Sequence, residues 1–340
     1  MRFRTINYVD KQGLGIEAFT MLIPSDWSFD GEIRWLLDNP GMPAVANFRV
    51  RSKNGMDELE VFPNQSFFWT TSQMILGMFP VGSRYFGAEV RPPVGPIDAL
   101  KRIVVPRFRK KLEGLNVASE DHLPDLAQTL GAGVQNQPGI TSGADGARIR
   151  IEYTKNGLRM EEEIYTVVES FSFPIQTMYG TVTNTMWTVG YIFSFKSEKG
   201  KLDEKTRLFQ TVVSSFKLNP QWFSKYNQVV EYLIQKQIQK IHSIGELSRI
   251  ISRTHNEISD MMMESYNNRQ KVYDRLSENF SQHIRGVDEY YNPVEQRGVE
   301  LPSGYREGWT NALGEYILSD DPNFNPNEGS NLTWHRMERK

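Results

Sequence analysis

Residues 147–168 read ARIRIEYTKNGLRMEEEIYTVV. Ala147–Thr154 and Met160–Val168 have the composition and apolar alternation of two long strands. The Lys155-Asn156-Gly157 between them carries the Asn-Gly pair that a tight hairpin turn needs, because both central residues of that turn take positive φ. This stretch therefore predicts an antiparallel sheet. Within its second strand, Glu161 and Glu163 share one face and Glu162 takes the other. A run of three glutamates beside a strand predicts a solvated sheet face.

The same reading extends outward. Val45–Val50 and Asp57–Phe62 alternate around Lys53-Asn54-Gly55, a second hairpin. Ala18–Ile23 is a strand closed by Pro24-Ser25-Asp26 and Trp27, and Trp187–Phe195 is another. Helical spacing appears at Leu100, Ile103, Val104 and Phe108, which predicts a helix over Ile97–Leu112 with Pro96 in its first turn. Asp121–Leu130 and Leu202–Ser215 are two more helices, the latter carrying Leu208, Val212 and Val213. Residues 64–95 are rich in aromatics, glycine and proline and predict a long irregular excursion over the surface.

At Asn219-Pro220 the character changes. No proline occurs from Gln221 to Tyr291, and glycine occurs there only at 245 and 286. An apolar stripe runs through Ile241, Ile244, Leu247, Ile251, Ile258, Met262, Tyr266, Tyr273, Leu276, Phe280 and Ile284, with Thr254 and Arg269 as polar members. Its step is about 3.6 residues, the period of a straight helix and not of a left-handed coiled coil. One helix over 222–285 would be roughly 95 Å long, so it either projects to a partner or breaks near Gly245 and folds back. The last 50 residues are rich in Gly, Pro, Asn and aromatics, with short strands at Gly298–Leu301, Gly308–Asn311 and Glu315–Leu318. A tail holding Trp309, Tyr316, Phe324 and Trp334 is too aromatic to stay undocked.

The opening Phe19-Thr20-Met21-Leu22-Ile23-Pro24-Ser25-Asp26-Trp27 and the closing Leu208-Phe209-Gln210-Thr211-Val212-Val213-Ser214-Ser215-Phe216-Lys217-Leu218 resemble the entry and exit of the PsbP-like superfamily. That resemblance covers residues 1–218 and implies an antiparallel sheet sandwiched by helices, in a group of binding or accessory proteins. The expected class is thus α+β, in three parts: a PsbP-like domain at 1–218, a long amphipathic helix at 219–291, and an aromatic β-meander tail at 292–340 docked on the helix or on a neighbouring subunit.

Composition excludes several functions. The chain has 340 residues, no cysteine and a formal charge of −2. Disulfides, thiolate metal sites and a cysteine nucleophile are ruled out, and without an overall basic field nucleic acid is not an expected partner. No stretch approaches a membrane span. The opening Met-Arg-Phe-Arg-Thr-Ile-Asn-Tyr has no apolar run of signal-peptide length, which predicts a cytoplasmic protein by default, with unconventional export as the alternative.

No cofactor or metal site is expected. The five histidines, His122, His242, His255, His283 and His335, form no metal-ligand spacing on one helix face. Asp320-Asp321 with Asn323, Asn325 and Asn327 is only superficially a calcium loop, because Pro322 and Pro326 interrupt it. Gly131-Ala132-Gly133 lacks a phosphate-binding lysine. Arg102, Arg107, Arg109, Lys110 and Lys111 form a basic run on the first helix, which predicts a solvated face.

Three functional readings follow. The leading one is a non-enzymatic scaffold, a homo-oligomer with a protein partner in view. It would associate through Ile251, Ile258, Met262, Tyr273 and Phe280 on the stripe and through Trp309, Tyr316 and Trp334 in the tail. The second is a monomeric binding module whose surface is Phe67, Phe68, Trp69, Phe79 and Tyr85. The third is a hydrolase built on Glu161 and Glu163 with Asp145.

Overall fold

The computed structural model describes residues 2–129, 140–177, 180–241 and 287–339. The chain opens with β1 (Arg2–Val9), β2 (Glu17–Pro24), β3 (Ser28–Trp35), β4 (Ala44–Arg51), β5 (Glu58–Val61) and β6 (Gln65–Thr70). A short α1 (Gln73–Met78) and the strands β7 (Arg84–Tyr85) and β8 (Ala88–Val90) follow. Next comes a helical segment of three parts: α2 (Pro96–Ala99), a π turn over Leu100–Val104, and α3 (Val105–Phe108). After β9 (Glu113–His122) and α4 (Pro124–Thr129) run the long strands β10 (Thr141–Lys155), β11 (Leu158–Thr177) and β12 (Gly180–Glu198). A 3-10 turn at Asp203–Lys205 leads to α5 (Thr206–Ser214), β13 (Lys217–Leu218) and α6 (Pro220–Ile241). Beyond lie β14 (Val287–Asn292), β15 (Arg297–Pro302), β16 (Glu307–Asn311), β17 (Glu315–Ser319) and β18 (Trp334–Arg339).

These strands form two sheets. One runs β13-β2-β1-β17-β16-β18-β14-β15, the other β3-β4-β5-β12-β11-β10-β9, with β6 also on β12 and β8 and β7 outside it. Every pairing is antiparallel except β6 with β8. The hairpin at 155–158 is as expected: Lys155 faces Leu158, and Asn156 (φ 52°) and Gly157 (φ 78°) supply the positive φ.

The expected class is corrected in two respects. The protein is mostly β, and the layer facing the long ladder is chiefly a second sheet, where the PsbP-like sandwich has helices. One core lies between β2 of the first sheet and β4, β5 and β12 of the second, closed by Phe209 and Val212 of α5 and Trp222, Phe223, Tyr226 and Val230 of α6. Another lies on the far side of the second sheet, under Ala99, Leu100, Ile103 and Val104. The π turn there has a local cause. Pro106 has no N–H and its ring clashes with the carbonyl four residues back, and the backbone widens so that the Val105 N–H reaches Leu100 O.

The helix expected over 222–285 is also overturned. Asn219 caps α6 by accepting from Gln221 N at 2.9 Å, and Asp10 accepts from the indoles of Trp222 (2.9 Å) and Trp35 (3.1 Å), holding α6 against β2. β14 lies five strands from β2 in the same sheet, about 24 Å away at the usual strand spacing. Residues 242–286 of the expected helix lie outside the described residues. Among the described residues the longest helix is α6, with 22 residues.

Two smaller expectations change. Residues 113–122, within and before the helix expected from Asp121, form the edge strand β9, and only Pro124–Thr129 is helical. Residues 64–95 are not an irregular excursion but hold three strands and a helix. In the tail, β17 pairs with β1 of the same chain, placing Tyr316 opposite Phe3.

Tyr316 is 1% exposed among Phe3, Leu22, Tyr290 and Leu318. Tyr316→Ala is therefore expected to lower unfolding free energy by about 3–5 kcal/mol in urea titration. Tyr232→Ala, at a site 57% exposed, should cost less than about 0.5 kcal/mol.

Candidate functional site

The chemistry-bearing side chains converge on the long ladder. Register places Glu58, Lys196 and Glu162 side by side across β5, β12 and β11, with Glu60 and Ser194 in the next row. Alternation points Glu162 at the face that the 96–108 helical segment covers. There Arg109, in the turn after α3, donates to Glu162 at 2.6 and 2.9 Å and to Glu60 at 2.6 Å, with its guanidinium 4.7 Å above the Phe62 ring. Arg49 takes the other oxygen of Glu60 at 2.6 Å, Tyr153 donates to Glu162 at 3.1 Å, and Lys196 closes on Glu58 at 2.6 Å.

Glu162 is fully buried, which by itself would raise its pKa. The charge and hydrogen bonds of Arg109 outweigh that and hold the carboxyl below its usual range. Burial likewise opposes the Arg109 charge, and Glu162 and Glu60 overcome it, leaving the guanidinium more firmly protonated than usual.

The expectation of a solvated glutamate face is thus corrected, since Glu161, Glu162 and Glu163 are 5%, 0% and 6% exposed. Glu161 and Glu163 do share a face. Glu161 accepts from Gly200 N and Leu202 N, both at 2.9 Å. Glu163 accepts from Arg148 (2.9 Å), Arg150 (2.7 Å) and the Tyr165 hydroxyl (2.6 Å). Arg150 also binds Asp203, whose carboxyl is held low first by that hydrogen bond. Asp145 is not brought to them. It faces Val168, five register positions from the Arg150–Glu163 pair, about 17 Å along the strand, and binds the exposed His122 at 2.7 Å. Sequence reasoning missed Glu58, Glu60 and Arg109 as partners of the glutamate run; the even spacing of Glu58 and Glu60 in an alternating strand was the available signal.

The aromatic candidates divide by burial. Phe67 stacks on Trp187 at 4.2 Å and Phe68 on Tyr85 at 4.3 Å, all four in the core. Phe79 meets Tyr85 edge-on at 5.0 Å and is half-buried, as is Trp69. What this region exposes is Met74, Met78 and Val81. In the tail, Tyr316 and Trp334 are buried and Trp309 is half-buried. Ile251, Ile258, Met262, Tyr273 and Phe280 lie outside the described residues, as do His242, His255, His283 and Gly131–Gly133.

The basic run is partly consumed: Arg102 pairs with Asp98, Arg107 with Glu89 and Arg109 with the buried glutamates, while Lys110 and Lys111 are exposed. Asp321 and Asn325 cap local turns by accepting from Asn323 N and Asn327 N. Among the described residues no group of three His, Asp or Glu side chains is arranged to hold a metal ion, and no helix is long and apolar enough to cross a membrane.

No protein-family model matches the chain, and no curated protein does. Among solved structures, one that aligns is LpqN of Mycobacterium tuberculosis, described as involved in cell envelope biogenesis. It has 10% identity and a TM-score of 0.20, over 64% of this chain and 92% of that one.

Two outcomes test the buried network. Arg109→Met strands Glu162 as an uncompensated buried charge and should cost about 3–5 kcal/mol in urea titration, whereas Arg109→Met with Glu162→Leu should recover most of it. Because the folded pKa of Glu162 lies below its unfolded value of 4.5, its contribution is complete above that value and is lost as pH falls through the folded one. Melting curves of Glu162→Gln should therefore flatten with pH in the acid range relative to the unmodified protein.

Proposed function

We propose that this chain is a non-enzymatic structural protein that self-associates, and that residues 242–286 carry the association. The observation that supports this reading most is topological. The segment leaves from α6, packed on β2, and returns at β14 of the same sheet. It is a 45-residue excursion from one body, and its sequence holds the stripe with Ile251, Ile258, Met262, Tyr273 and Phe280. A stripe of this kind leaves water only against another apolar face. Tyr316 and Trp334 of the tail are already spent inside the chain's own fold, so the stripe is the carrier in this reading.

A second reading, a module that captures a protein partner through residues 64–95, draws on the exposed Met74, Met78 and Val81.

Light scattering coupled to size exclusion separates the two. The full chain should run as an oligomer, and Ile251→Gln, Ile258→Gln and Met262→Gln together should make it a monomer with unchanged melting. Met74→Ser with Met78→Ser should leave the mass unaltered. A full chain that stays monomeric across the accessible concentration range rules the proposal out.

A further inference from the structure

One end of the second sheet is built from sequence without charge. Charged residues make up 24% of the chain, yet none occurs in 61–83, in 126–144 or in 170–195. The fold brings these stretches together. The first holds β6 and α1, the second enters β10, and the third holds the ends of β11 and β12 that meet at Thr177 and Gly180. Thr71 N donates to Thr183 O at 3.0 Å and Thr183 N to Thr71 Oγ1 at 2.9 Å, so α1 begins beside the β11–β12 hairpin. Thr141 lies opposite Ser172. Behind them Phe68, Ile75, Tyr85, Phe173 and Ile175 pack as a core of their own. The side chains that face water here are apolar or neutral: Met74 (39%), Met78 (40%) and Val81 (59%), with Pro174 and Gln176 on the hairpin. The first charge after 61–83 is Arg84, which is exposed and donates to Gly87 O at 2.7 Å. Arg84 pairs with no carboxylate among the described residues, because Glu89 opposite it is taken by Arg91 and Arg107.

We propose that this end docks on a lipid bilayer, with Met74, Met78 and Val81 in the outer acyl layer and Arg84 at the level of the phosphates. Charge distinguishes this occupant from a protein. In water an exposed position holds a charge at little cost, and charged residues are mostly found there. A protein interface keeps a polar rim and favours arginine. A bilayer penalises a charge wherever it is immersed, and here charges are missing from buried and exposed positions alike. The surface is also the tip of a sheet and not a flat face. The hairpin pairs from Pro174–Thr183 to Thr177–Gly180 run past Thr71, about 10 Å at strand spacing. A tip of that reach matches the roughly 5–10 Å to which interfacial elements enter a membrane. The surface is separate in sequence from the stripe at 241–284 and does not rest on self-association.

The test floats the full-length protein in a density gradient with vesicles of phosphatidylcholine alone and of phosphatidylcholine mixed with phosphatidylglycerol. The protein should rise with both, more with the anionic vesicles, and should stay bound in about 0.5 M salt, where attraction between surface charges is screened. Met78→Asp with Val81→Asp, checked for unchanged melting by circular dichroism, should lower the bound fraction about tenfold or more. Arg84→Gln should remove the preference for anionic vesicles and leave the rest of the binding. The double variant should keep the scattering mass of the unmodified chain, which separates this surface from the one that self-associates. Protein that stays at the bottom with both kinds of vesicle overturns the proposal and leaves a protein as the occupant of this end. Binding that disappears in salt overturns it too, as does binding that is unchanged in the folded double variant.

Discussion

β1 has two partners: β2, which follows it in the chain, and β17, which arrives more than 300 residues later. Antiparallel pairing at Phe3–Tyr316 is a backbone constraint before it is a packing one, because a strand in mid-sheet must satisfy its N–H and C=O groups on both edges. Once β17 is seated there, β16, β18, β14 and β15 follow in register, and Phe3, Leu22, Tyr290 and Leu318 are covered together. The tail is then part of the first sheet rather than an appendage, and residues 242–286 become an excursion with both ends on one body.

The second sheet is organised by a different requirement. Its central strands place Glu58, Glu60 and Glu162 on a face that the 96–108 segment covers, and carboxylates there are tolerable only with cations brought to them. Arg109 serves two of the three at once, its planar fork matching carboxylate geometry. Such networks are poor sources of net stability, since similarly packed apolar groups do as well. They are unforgiving of a missing member, which fixes how β5, β11 and the turn after α3 must align.

Much of the strand content was legible. Asn156-Gly157 and Asn54-Gly55 mark their hairpins because only certain residues accept the backbone angles of tight turns, the stretches at β4 and β5 show apolar alternation, and β2 is an apolar run closed by Pro24. β9 was not legible. Its sequence, EGLNVASEDH, is polar and mostly exposed, and it is a strand because the free edge of β10 offers a ladder to it. The burial of Glu161, Glu162 and Glu163 was hidden for a related reason: a charge run looks the same in sequence whether water or arginines from distant segments surround it. The 3.6-residue period at 241–284 belongs to the sequence, and a period says nothing about where the two ends of a segment must lie.

The sequence by itself determined the local geometry: the turns at 54–55 and 156–157, the faces of Glu161, Glu162 and Glu163, the cap at Asn219, and the absence of thiol chemistry. Each depends on neighbours within a few residues. Tertiary structure decided the rest: that Tyr316 meets Phe3, that Arg109 lies between Glu60 and Glu162, and that Tyr85 and Phe68 are core. Those contacts join residues 17 to 313 positions apart. They are set by which edges and faces remain unpaired once the local elements have formed, a property of the assembled sheets that no local window of sequence contains.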